Sequence, residues 1–148
     1  MKAALVIALV LLAVVGSGCD AVFGELHTGV IAGQYNYFNA ISDDSGAHAG
    51  GTTRIMVCCP TYFDFNVTCL NVVHNRATIG VAWAPVAGHQ PPSTGELWYV
   101  EDNPGKDTDK LHKETVPAPP TTCPSPPTTI TNDDVTTDDI HVIDDFHN

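Results

Sequence analysis

Residues 62–69 read Tyr62-Phe63-Asp64-Phe65-Asn66-Val67-Thr68-Cys69. Phe63, Phe65, Val67 and Cys69 take alternate positions, and Tyr62, Asp64, Asn66 and Thr68 take the others. Successive side chains of a strand point to opposite faces, so a period of two sets an apolar row against a core and a polar row toward water. Leu70 to Val73 either extends this strand or begins the next, and His74-Asn75-Arg76 reads as a turn.

The pattern continues on both sides. Arg54 to Cys58 is a short strand candidate interrupted by Pro60. Thr78 to Ala84 places Ile79, Val81 and Trp83 on one face and Thr78, Gly80 and Ala82 on the other. Pro85 ends it, because proline has no amide to donate to a ladder. Glu96 to Glu101, with Leu97, Trp98, Tyr99 and Val100, supplies another strand. Turn residues separate these runs and no long crossover helix lies between them. The expected fold is therefore all-β, a small antiparallel sandwich or open barrel. Toward the N-terminus, Glu25 to Ala40 predicts at most a short helix, interrupted by Gly29 and Gly33 and weakened by Thr28, Val30 and Ile31.

The ends of the chain have different compositions. Lys2 precedes an apolar run from Ala3 to Val15, followed by the small residues Gly16, Ser17 and Gly18, the order of a secretory signal peptide over residues 1–21. The run is too short for a membrane span, which takes ~20 apolar residues. Cleavage can follow Gly18, Cys19 or Ala21; a lipid-anchored Cys19 is disfavoured by Gly16 three positions upstream. About 127 residues then remain, enough for one modest domain. Residues 22–105 form the expected β-rich, disulfide-stapled domain. Residues 106–131 form a Thr/Pro-rich extended segment resembling a mucin-like linker in composition, whose threonines suit O-linked sugar. Residues 132–148 form an acidic tail with the pairs Asp133-Asp134, Asp138-Asp139 and Asp144-Asp145 and no Lys or Arg. Charge repulsion predicts that this tail is disordered when alone, with Val135, Ile140 and Phe146 available as anchors on a partner.

Beyond the leader lie Cys58, Cys59, Cys69 and Cys123. An even count in an exported chain predicts disulfides, with three complete pairings open. Cys59 with Cys69 would make a small staple and Cys58 with Cys123 would tie the tail back; a bond between the neighbours Cys58 and Cys59 is the least favourable geometry. Adjacent cysteines also fit a zinc site badly.

The formal net charge of −11 repels nucleic acid and anionic membrane. It leaves a cationic partner for the tail, calcium, or simple solubility as its reason. The paired aspartates lack the spacing and glycine of an EF-hand, so a solvated acidic tail with at most weak calcium binding and no defined cofactor is expected. His27, His48, His74, His89, His112, His141 and His147 show no metal-ligand spacing. Asn66-Val67-Thr68 is an N-glycosylation acceptor whose Asn66 falls on the polar face. Ser93, His89 and Asp64, or His74 with an acid, can be assembled on paper into a hydrolytic set, but no nucleophile-elbow motif selects them.

Large rings with polar edges are better suited to recognition, and Trp83, Trp98 and Tyr99, with Tyr62, are the candidate binding residues. Trp83 aligns with Ile79 and Val81 and is expected to be buried. Trp98 and Tyr99 face opposite ways, so at least one is exposed. The expectation is a secreted or cell-surface protein that binds an extracellular protein or glycan, including matrix components. A small secreted hydrolase and a purely structural surface protein are the alternatives.

Overall fold

A computed structural model of the chain describes residues 19–28, 34–43, 46, 48–57, 61–103, 105, 108–131 and 135–144. Among them there is no helix. Eight strands run in chain order: β1 (Cys19–Thr28), β2 (Gln34–Asp43), β3 (Gly50–Val57), β4 (Thr61–Val73), β5 (Arg76–Trp83), β6 (Gly95–Glu101), β7 (Lys110–Val116) and β8 (Val135–Ile143). All pair antiparallel in one sheet of order β7-β6-β5-β4-β3-β2-β1-β8, curled into a half-barrel. The all-β expectation holds, and the single curled sheet selects the open barrel over the sandwich.

The predicted strand at 62–69 lies within β4, which continues without a break through Leu70 to Val73. Its concave face meets Ile79, Val81 and Trp98 in a core that also holds Val22, Leu26, Phe38, Val100 and Leu111. The described residues of Glu25 to Ala40 hold no helix; β1 takes Glu25 to Thr28 and β2 takes Gln34 to Ala40. The overlooked signal is a period of two, with Asn36, Phe38 and Ala40 buried and Asn39 exposed. Such alternation outweighs weak helical propensity once a partner strand lies alongside.

One residue departs from the alternation in β4. The register with β5 shifts between Val67 and Cys69, the mark of a β-bulge. Phe65 and Val67 stay with the core, whereas Cys69 turns to the convex face, opposite Gly80. There it bonds to Cys123, closing a loop with a sequence separation of 54. The expected Cys59–Cys69 staple and Cys58–Cys123 tie are therefore corrected; Cys58 and Cys59 lie outside the described residues. Gly80 makes the bond feasible, since a Cβ there would sit 2.3 Å from the Cys69 Sγ and 2.7 Å from Pro120 Cγ.

Residues 110–116 of the expected Thr/Pro-rich extended segment instead form β7, and only residues 117–131 lie across the convex face as a strap. Pro120 and Cys123 are partly buried and Pro126 is buried, while Thr121, Thr122, Pro124 and Ser125 between them are exposed. A spacing of three is the period of polyproline II, so one edge of an extended Pro-rich segment rests on the sheet. Asn71 Nδ2 donates to the Cys123 carbonyl at 3.2 Å and the Arg76 guanidinium donates to the Pro127 carbonyl at 2.9 Å.

The strap leads to β8, which pairs with β1. The disorder expected of the acidic tail applies to the segment alone; within the chain, residues 135–143 find a strand partner and bury Val135 and Ile140. Residues 132–134 and 145–148 lie outside the described residues. The far edge of β8 meets carboxylates rather than a strand. The Ile140 amide donates to Asp109 at 3.3 Å and the Val142 amide donates to Asp102 at 3.1 Å. Asp144, just past β8, accepts from the His74 amide at 2.6 Å, at a turn residue with φ of 57°. Among the described residues no helix is long and apolar enough to cross a membrane.

Breaking the loop by Cys123→Ala should cost about 2–5 kcal/mol, read from urea unfolding. Gly80→Ala should destabilise the wild-type chain, and most of that cost should vanish with Cys69→Ala and Cys123→Ala in place, because the sulfurs are gone and the strap can lift. Asp109→Ala, which removes an acceptor from a buried amide, should cost about 1–3 kcal/mol and speed hydrogen exchange at Ile140 ahead of the β4 and β5 amides.

Candidate functional site

Alternation sends the sequence-predicted binding residues to three different places. Trp98 is fully buried on the concave face. Its indole Nε1 donates to Glu96 Oε2 at 2.7 Å, and the Lys113 ammonium sits 4.5 Å from the ring centroid while also bonding Asn36. Trp98 is thus a core residue and not part of a binding surface: a completely covered ring has no face to offer a partner.

Tyr99, its neighbour, faces the strap. It lines an open cleft of about 320 Å³ with His112, Glu114, Pro124, Pro127 and Ile130. Its hydroxyl donates to Glu114 at 3.3 Å and its ring stacks on His112 at 6.2 Å. Burial, with the Glu114 carboxylate adding to it, raises the Tyr99 pKa above the ordinary 10.0.

Trp83 is at the end of β5 and is partly buried. Rings continue from it in both directions. Phe63 packs edge-on at 5.7 Å and Phe65 lies tilted at 4.6 Å; Phe65 then meets Trp98 at 5.3 Å, and Trp98 meets Phe38 at 5.7 Å. The chain of rings runs from the open end of the half-barrel to the middle of the core.

At that open end the loop following β5 folds back. The Ala84 amide donates to the Asp64 carbonyl at 2.9 Å, prolonging the β4–β5 pairing, and the His89 amide closes a turn on the Val86 carbonyl at 3.0 Å. The result is a groove of about 360 Å³ walled by Tyr62, Phe63, Trp83, Val86, Pro91 and Pro92, with His89 and Gln90 as its polar members. Tyr62 is 55% exposed, Phe63 43% and Val86 63%. Three of the four large apolar residues left exposed among the described residues, with Ile41 as the fourth, therefore gather on one groove. Scattered single apolar residues are ordinary on a surface, whereas their concentration marks a contact site.

Sequence reasoning identified Trp83 and Tyr62 but missed Phe63 and Val86. Phe63 does lie on the core-facing row, yet it stands at the strand end where the core runs out. The available signal was the loop Ala84-Pro85-Val86-Ala87-Gly88-His89-Gln90-Pro91-Pro92, which places an aliphatic residue and two prolines directly after a tryptophan strand.

The hydrolytic alternatives gain no geometry. Asp64 is engaged bidentately by Arg54, at 2.5 Å to Nε and 2.9 Å to the terminal nitrogen. His74 meets Asp144 at 3.9 Å on a surface turn. His89 lines the groove without Ser93 or Asp64. Among the described residues no group of three or more His, Cys, Asp or Glu side chains could hold a metal. Asn66 is exposed on β4. No family model, curated protein or solved structure matches the chain.

Glu114→Gln should lower the Tyr99 pKa toward 10.0, since it removes the neighbouring negative charge that disfavours tyrosinate. The folded state favours neutral Tyr99, so its contribution to stability is complete below the unfolded-state pKa and is lost as pH rises through the folded one. NMR-monitored titration of the ring resonances measures the shift.

Proposed function

We propose that this chain is a secreted or cell-surface binding protein whose recognition site is the groove around Trp83. The observation that carries the reading is the convergence of exposed Tyr62, Phe63 and Val86 on that groove. Burying such residues against a partner gains roughly 25 cal/mol per Å² of apolar surface. The ring chain behind Phe63 and Trp83 holds the groove in shape before a partner arrives, which lowers the ordering cost of binding. A disulfide tying a strap to the sheet agrees with an oxidising compartment, and the exposed Asn66 of the Asn66-Val67-Thr68 acceptor is open to a glycan.

The export reading gains a detail from β1. Cys19, Asp20 and Ala21 pair with Asp43, Ser42 and Ile41, and Ala21 is buried. Cleavage after Gly18 leaves that strand whole, whereas cleavage after Ala21 removes three of its residues. N-terminal sequencing of secreted material should therefore begin Cys19-Asp20-Ala21.

Co-sedimentation with insoluble extracellular matrix and cell-wall preparations tests the site. Phe63→Ala and Val86→Asp should each reduce retention about tenfold, the equivalent of about 1.4 kcal/mol, with near-UV circular dichroism unchanged. Equal retention of wild type and both variants would refute the groove as the recognition site. Trp83→Ala is less informative, because the same ring supports Phe65.

A further inference from the structure

Tyr62 belongs to two surfaces. It walls the groove, and as a β4 residue opposite in direction to Phe63 it also stands on the convex face. The strand registers line it up there with residues far apart in sequence. Tyr62 pairs with Met56, Met56 with Tyr35, and Tyr35 with His27. Directly beside this row runs a second, in which Asp64 pairs with Arg54, Arg54 with Tyr37, and Tyr37 with Glu25. Four adjacent strands thus carry a row of rings and a thioether next to a row in which three charged groups, Asp64, Arg54 and Glu25, flank the neutral phenol of Tyr37. At ~4.8 Å between neighbouring strands the rows extend for roughly 14 Å.

The two rows are already ordered by mutual contacts. His27 packs edge-on to Tyr35 at 4.2 Å, and Tyr35 and Tyr37 stand nearly parallel at 6.4 Å. Arg54 lies 4.3 Å above the Tyr62 ring while its guanidinium bonds Asp64. His27 Nε2 is 2.5 Å from Glu25 Oε1. The side chains of His27, Glu25, Arg54 and Asp64 remain 34%, 41%, 47% and 35% exposed. Burial, with Glu25 adding to it, raises the Tyr37 pKa.

We propose that the convex face of β1 to β4 is a platform for an uncharged polysaccharide chain, which lies along His27, Tyr35, Met56 and Tyr62 and ends in the groove beside Trp83. The inference rests on the groove being a recognition site and names its partner. A sugar chain has what the two rows require: apolar ring faces for the aromatic row, and a line of hydroxyls for the remaining lone pairs of Glu25 and Asp64 and the donors of Arg54. An apolar protein segment would cover the groove but leave the row of charged groups desolvated and without new partners, a cost that a hydroxyl-rich chain avoids. The net charge of −11 turns away uronate-rich and sulfated polymers, which leaves uncharged ones.

Affinity electrophoresis of the full mature chain through gels containing hydroxyethylcellulose, a soluble β-1,3-glucan or a galactomannan, with heparin as the acidic comparison, reads the interaction directly. At least one neutral polymer should retard the wild type and heparin should not. Tyr35→Ala and Tyr62→Ala should each weaken the retardation about tenfold, with near-UV circular dichroism confirming the fold. Absence of retardation by every neutral polymer, or retardation untouched by Tyr35→Ala and Tyr62→Ala, overturns the platform. Retention on matrix that still depends on Phe63 and Val86 in that event leaves the groove standing with a protein partner. Retardation that depends on Tyr35 but is unchanged by Phe63→Ala and Val86→Asp overturns the proposal that the chain ends in the groove, and with it the groove as the sugar site.

Discussion

The bond between Cys69 and Cys123 joins the segment least able to fold by itself to the longest strand of the sheet. Residues 117–131 offer few apolar groups, and an extended Pro-rich chain makes no hydrogen bonds within itself. Fixing it to β4 shortens the conformational search of everything that follows. Three local features must coincide for this to happen: a bulge that turns Cys69 outward, a glycine opposite it, and a spacing of three that points Pro120, Cys123 and Pro126 to the same side.

What the strap delivers is β8, and β8 resolves the edge of β1. An unpaired β1 would present a row of free amides and carbonyls beside the buried Val22 and Leu26, an invitation to aggregation. With β8 in place the exposed edge moves one strand further, where Asp102 and Asp109 accept from its amides. Carboxylates are strong acceptors for backbone N–H groups, so part of the acidity of the chain is structural. Asp64, Glu96, Glu101 and Asp144 act likewise, accepting from Arg54, Trp98, Lys110 and His74. At Glu101, burial pulls the pKa upward, but hydrogen bonds from Lys110 and Asn103 hold it below the ordinary value.

The strands at Tyr62 and Thr78 were legible from alternation, the second stopped by Pro85, and the strand at Glu96 from its run of large apolar residues between turn signals. The bulge was hidden: Cys69 continues the apolar row in sequence, and only the pairing with β5 reveals the shift. The short helix allowed around Glu25 to Ala40 arose from weighing local propensity where long-range pairing decides. Composition likewise described the acidic tail in isolation, although Val135 and Ile140 were recognisable as anchors in search of a partner. For the site, residue type was legible at Trp83 and Tyr62, but exposure was not. Phe63 and Phe65 look equivalent in sequence, and the end of the sheet separates them.

The two ends of the half-barrel are built from opposite physics, and that division locates recognition. At the end near His74 and Asp102, hydrogen bonds and carboxylates close the sheet. At the other end, closure is incomplete: the core reaches solvent through Phe63 and Trp83, and a proline-bearing loop frames the opening instead of sealing it. An opening of that kind costs stability, because apolar area remains wet that a few further residues could cover. Packing Phe63 on Trp83, and Trp83 on Phe65, which in turn meets Trp98, limits the penalty by keeping the wet rings ordered and in contact with the interior. The same stacking keeps Phe63 and Trp83 from collapsing inward, and a partner therefore meets a preformed apolar wall with polar members only at His89 and Gln90.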